Sequence, residues 1–92
     1  MTAHSTLYGF AYTPQALAFL KMLQPKLRGQ IITRIKALAA NPIAPGSKKL
    51  HGVMDGENPV YRARQGKHRI LYSVRGIIIV ILDIDHRKDV YR

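Results

Sequence analysis

Ninety-two residues with a formal net charge of +10 make one small basic domain, with no length for a second core. At 47% hydrophobic and 22% charged, the composition is that of a folded protein and excludes a disordered tail. The chain has no cysteine, which excludes disulfides, a thiol nucleophile and a thiolate zinc site, and fits a reducing compartment.

No apolar run near the N-terminus is long enough for a signal peptide. The longest aliphatic run, Ile77–Leu82, is far short of the ~20 residues a membrane span needs. A soluble cytoplasmic protein without a membrane partner is therefore expected. Charge is the strongest compositional signal: 15 Lys and Arg stand against 5 Asp and Glu, and no acidic residue precedes Asp55. Such a surface attracts polyanions and raises encounter rates with them.

Met1–Thr6 carries no pattern. Leu7–Tyr12 alternates, with Tyr8, Phe10 and Tyr12 on one side, which predicts a strand. Thr13-Pro14 is an N-cap followed by proline at the first helical position. The helix it opens places Ala16, Phe19, Leu20 and Leu23 on one stripe. Pro25 starts a second helix with Leu27, Ile31, Ile35 and Leu38 on its apolar side and Lys26, Arg28, Arg34 and Lys36 elsewhere, stopping near Asn41-Pro42. The short link predicts an antiparallel helical hairpin.

Pro42–Gly46 reads as a loop, Ser47–Gly52 as a basic segment anchored by Leu50, and Met54–Pro59 as turn-forming. No internal repeat stands out. From Val60 the period is 2. Tyr61 and Ala63 point one way, Arg62 and Arg64 the other. After a turn at Gly66, Ile70, Tyr72 and Val74 share one face and Lys67, Arg69 and Leu71 the opposite one. Pairing apolar with apolar gathers Arg62, Arg64, Lys67 and Arg69 on one face. A turn at Arg75-Gly76 leads to Ile77–Ile84, apolar on both sides and so expected inside the sheet. The expected fold is α+β, in the order β-α-α-β-β-β, over a single domain spanning 1–92. A helical hairpin packs on one face of a small, twisted, mostly antiparallel sheet.

Four like charges on one sheet face repel each other unless an anion binds there, and arginine's planar fork grips phosphate oxygens in pairs. The tail His86-Arg87-Lys88-Asp89-Val90-Tyr91-Arg92 follows directly from the apolar strand and adds an imidazole, further cations and a phenol. Histidine moves protons near neutral pH, and tyrosine stacks on bases. The four histidines lack metal-ligand spacing. Asp83 and Asp85 share a strand face, where pairing with nearby arginines is favoured over holding Mg²⁺. No metal or cofactor is expected. A metal-free cationic site can still cleave RNA, because the 2′-hydroxyl attacks the adjacent phosphate and the protein need only align groups, neutralise charge and move protons. Arginine suits the second task and is a poor base, so the base stays open.

Lys49-Leu50-His51-Gly52, then Tyr61-Arg62-Ala63-Arg64 with Arg69-Ile70-Leu71-Tyr72, then His86-Arg87-Lys88-Asp89-Val90-Tyr91, in that order after a helical hairpin, resemble the RelE family of the RelE/ParE toxin superfamily. The resemblance implies a toxin of a type II toxin–antitoxin module: a ribosome-dependent mRNA endoribonuclease silenced by a cognate antitoxin. It implies that Arg62 and Arg64 bind phosphate and assist proton transfer, and that Arg69 stabilises the transition state. Arg87 would help the leaving group, and Tyr91 would orient the substrate base. Arg62 stands where some members have lysine, and His86 offers an alternative base. Lys48, Lys49, Lys67 and Lys88 are the expected supporting RNA contacts. The competing readings are a ParE-like inhibitor of DNA gyrase on the same fold and a non-catalytic basic module that binds RNA or an acidic protein.

Overall fold

The computed structural model describes residues 8–43 and 47–86. Within them the chain runs β1 (Gly9–Tyr12), α1 (Pro14–Met22), α2 (Pro25–Ala37), β2 (Lys48–Asp55), β3 (Asn58–Gln65), β4 (His68–Arg75) and β5 (Ile78–His86). One five-stranded sheet has the order β1-β5-β4-β3-β2, with β1 parallel to β5 and every other pair antiparallel. The α+β arrangement matches the sequence expectation, with one strand more than expected. The expectations placed on Met1–Thr6, on the end of the Pro42–Gly46 loop and on the tail after His86 lie outside the described residues.

The added strand is β2. Its sequence reads as a basic segment followed by a turn-forming one, because Gly52 interrupts the strand, Gly56 follows it directly and its alternation is broken. Lys49 pairs with Tyr61 and Met54 with Pro59, so five steps on β2 face two on β3, and the excess is taken up around Gly52 at φ +76°. The turn-rich stretch after it closes as a two-residue hairpin at Gly56-Glu57. Gly66-Lys67 and Gly76-Ile77 close the next two hairpins in the same way, each with glycine at positive φ in the first place. Such a glycine lets a two-residue turn follow the right-handed twist of its strands. The three turns recur every ten residues, so β2–β5 is a regular meander.

Thr13 caps α1 as its side chain predicts, accepting from Ala16 N at 3.2 Å, with Pro14 in the first turn. Its hydroxyl also donates to the Leu82 carbonyl at 2.6 Å, joining the helix start to β5. Arg28, one of the cations off the apolar side of α2, donates from Nε to Leu20 O and from its terminal nitrogen to Lys21 O and Leu23 O. Helix-end carbonyls have acceptor capacity to spare where α1 ends; Leu20 O also takes the Leu23 N–H at 3.2 Å. That guanidinium fixes the helical hairpin.

The core lies between the helices and one sheet face. Ala16, Leu20, Ile31, Ile35 and Leu38 meet Ala63, Ile70, Tyr72, Ile79, Ile81 and Ile84, all buried. α1 lies against β5 and α2 against β3. Burying an Ile or Leu side chain stabilises by roughly 1.5–3 kcal/mol, so this layer dominates a chain that has no disulfide. The β5 strand is held on both sides, by β1 and β4, as its apolar run requires.

One irregularity decides which way β5 points. Leu71 pairs with Asp83 but Tyr72 pairs with Ile81, so Leu82 is an extra residue in β5. Such a bulge reverses the alternation beyond it. Ile79 and Ile81 face the helices before the bulge, and Ile84 faces them after it, while Asp83 and Asp85 turn to the opposite face.

Candidate nucleic-acid interface

The β3–β4 hairpin has the register its apolar residues dictate. Tyr61 lies opposite Tyr72 and Ala63 opposite Ile70, on the helix side, with the two tyrosine rings stacked at 5.8 Å. On the face away from the helices, Arg62 lies opposite Leu71 and Arg64 opposite Arg69. Two transverse rows result: Lys48, Arg62, Leu71 and Asp83 in one, and Arg64, Arg69 and Asp85 in the next. The sheet therefore brings together Arg62, Arg64 and Arg69, and adds Lys48 from the edge strand.

Arg64 is exposed and Arg62 and Arg69 are half-buried, with the Nε atoms of the latter two shielded from solvent. Arg62, Arg69 and Asp85 are each engaged by neighbours. The two rows are not of one sign, as the hairpin alone suggests: the carboxylates of Asp83 and Asp85 share them with Lys48, Arg62, Arg64 and Arg69. From the helix side, Arg34 donates through Nε to the Arg64 carbonyl at 3.2 Å, tying α2 to the strand that carries Arg62 and Arg64.

Not every expected residue joins these rows. Lys67 sits in the two-residue turn, outside the ladder, so strand alternation does not govern it; it borders a groove on the helix side instead. Lys49 pairs with Tyr61 and so belongs to the opposite face from Lys48. His86 pairs with His68, two positions beyond Ile84, on the helix face. Its ring meets His68 edge-on at 5.3 Å, and His68 meets Phe19 at 5.8 Å. The structure thus separates His86 from the three arginines by the thickness of the sheet. Arg87, Lys88 and Tyr91 lie outside the described residues.

The two histidines line a groove of about 480 Å³ with Phe19, Leu23, Leu27 and Ile31. Burial there, reinforced by the neighbouring His86, holds the His68 pKa below the ordinary imidazole value. At the far end of the open face, Asp55 accepts from Ser73 Oγ at 2.6 Å and from Arg75 at 2.6 and 3.0 Å, which pulls its carboxyl below the usual range. This cluster latches the β2–β3 hairpin to β4 and stands apart from the arginine rows. Among the described residues no group of three or more His, Cys, Asp or Glu is arranged to hold a metal, and no helix is long and apolar enough to cross a membrane.

Sequence reasoning missed Lys48 as a partner of Arg62, because β2 was not recognised as a strand. It put Asp83 and Asp85 on one strand face near arginines but not the bulge that turns them there, because a bulge cannot be read from alternation in a run that is apolar on both sides.

The family model described as ParE toxin of type II toxin–antitoxin system, parDE, matches residues 10–91, and the chain belongs to that family, within the RelE/ParE superfamily. Among curated protein sequences no relative matches. Among solved structures, a chain of the archaeal RelE–RelB complex from Pyrococcus horikoshii is 27% identical with a TM-score of 0.74, covering 88% of this chain and 96% of its own. One from the toxin–antitoxin complex RelBE2 of Mycobacterium tuberculosis is 26% identical with a TM-score of 0.75, covering 94% and 98%. The isolated Escherichia coli RelE toxin shares the fold at 20% identity and a TM-score of 0.71, covering 91% and 90%.

Proposed function

We propose that this toxin is a metal-independent endoribonuclease that cuts messenger RNA on the ribosome, with the RNA's own 2′-hydroxyl as nucleophile. The observation that carries the reading is the convergence of Arg62, Arg64 and Arg69 on the sheet face away from the helices. Three forked guanidinium groups within two adjacent rows suit one phosphodiester better than an extended surface does. In the reaction the 2′-oxygen bonds to phosphorus, the bond from phosphorus to the 5′-oxygen breaks, and a cyclic phosphate and a 5′-hydroxyl remain. One proton leaves the 2′-hydroxyl and one reaches the departing oxygen. Arg62 and Arg64 grip the phosphate, and Arg69 offsets charge on the pentavalent phosphorus. Arg87 and Tyr91 serve the leaving group and the base stack. Because His86 lies on the helix face, proton uptake falls to a group on the arginine side or to the tail.

The neighbours from P. horikoshii and M. tuberculosis were solved as complexes with their antitoxins, which supports a cognate antitoxin as partner here. A surface of net charge +10 calls for an acidic one, and ribosome and mRNA place the action in the cytoplasm.

The matching family carries the ParE name, and this favours a second reading: inhibition of DNA gyrase without RNA cleavage. Primer extension on message under translation, run beside a gyrase supercoiling assay, decides between them. Cuts within translated codons support the nuclease. Loss of supercoiling with intact message supports the gyrase inhibitor.

A further inference from the structure

The bulge at Leu82 turns both carboxylates of β5 onto the arginine face. Asp85 stands directly opposite Arg69, and Arg69 directly opposite Arg64, so β5, β4 and β3 present anion, cation, cation in one row. Asp85 and Arg69 are half-buried, Oδ1 of the one and Nε of the other are shielded from solvent, and each is engaged by a neighbour. Two arginines facing each other across a ladder repel and swing apart. A carboxylate on the far side of one of them gives that guanidinium a fixed direction, since carboxylate and fork match in geometry. Asp83 is less suited to this: its Oδ1 already accepts from Ile84 N at 2.9 Å, and the residue opposite it is Leu71.

We propose that Asp85 is a positioning residue, holding the Arg69 guanidinium in line with Arg64 so that a phosphate of the RNA completes the row. Its catalytic consequence rests on the nuclease reading above; the proposed hold of Asp85 on Arg69 does not. The two effects of the carboxylate have opposite signs. Its charge weakens attraction of RNA to the face, while its grip on Arg69 keeps that group aimed. Removing the charge without changing the shape therefore separates them. A side chain needed only for folding would not produce such a split.

The test uses Asp85→Asn in the full chain with two readouts. In the first, the Nε–H resonance of Arg69, assigned by its loss in Arg69→Lys, is resolved and slow to exchange in the wild type. In Asp85→Asn it broadens or exchanges with solvent. In the second, cleavage of translated message by Asp85→Asn shows kcat reduced about tenfold or more with KM unchanged or lower, and Asp85→Glu recovers part of kcat. An Arg69 resonance indifferent to Asp85→Asn overturns the proposal, as does a rise in KM at constant kcat. If the wild type cuts no message, the nuclease reading fails, and the resonance still decides whether Asp85 holds Arg69.

Discussion

At the scale of single residues, the arginines differ in what their loss removes. Arg69 sits between Arg64 and Asp85 at the middle of its row. Its replacement by alanine is expected to lower cleavage by about 10²–10³-fold, the range for removing one donor that stabilises transition-state charge. Ribosome association should persist, as measured by co-sedimentation. Equal cleavage by wild type and variant would remove Arg69 from the site. His68 gives a prediction of another kind. Its pKa is lower in the folded chain than the ordinary 6.5, chiefly through burial. Below about pH 6.5 the unfolded chain therefore binds more protons than the folded one, and stability falls as pH falls. Thermal unfolding between pH 7.5 and 5.5 should show this loss, and His68→Gln should flatten it. Asp55 adds a second loss at lower pH. Its depressed carboxyl, set by Ser73 and Arg75, contributes stability above the unfolded carboxylate range that disappears as it is protonated.

At the scale of elements, most of what positions the site was legible. The Thr13-Pro14 cap, the α1 stripe, the α2 stripe from Ile31 to Leu38 and the β3–β4 register follow from local chemistry that tertiary structure did not overrule, while Leu27 at the start of the second stripe stays exposed. Arg62, Arg64 and Arg69 share a face because Tyr61, Ala63, Ile70 and Tyr72 must face the helices. What escaped was set by defects in periodicity. The excess residues around Gly52 hid β2, and with it the pairing of Lys48 with Arg62. The turn at Gly66 removed Lys67 from the alternation, and the bulge at Leu82 moved His86 to the helix side. Thr13 links the helix cap to that bulge, so Thr13→Ala removes two hydrogen bonds at once. A loss of about 1–2 kcal/mol is expected, seen as a lower midpoint in chemical denaturation with an unchanged slope. Gly66→Ala forces a side chain into φ +60°, costing about 1–2 kcal/mol and loosening the hairpin that carries all three arginines.

At the scale of the whole molecule, charge and layering divide the labour. One sheet face is committed to the helices and supplies the stability. The other carries no helix among the described residues and holds the cationic rows. On the nuclease reading the three arginines grip one phosphodiester, so their contribution to the log–log salt slope for binding single-stranded RNA should be near about −0.7, the value for one phosphate neutralised. Raising salt from 50 to 200 mM should then weaken that contribution by roughly two- to threefold, measurable by fluorescence anisotropy against a variant lacking the three arginines. A flat response would show that contacts other than phosphate dominate.

The extra residue at Leu82 makes this molecule sensitive to counting. Every residue of β5 beyond it owes its side of the sheet to one inserted position and not to its own chemistry. Deleting Leu82 would remove no arginine from the sheet, yet it would exchange the sides of Asp83, Ile84, Asp85 and His86 together. An isoleucine would then lie among the guanidinium groups and two carboxylates would press into the core. A toxin of this kind can be disarmed by the loss of a single codon that encodes no member of its site.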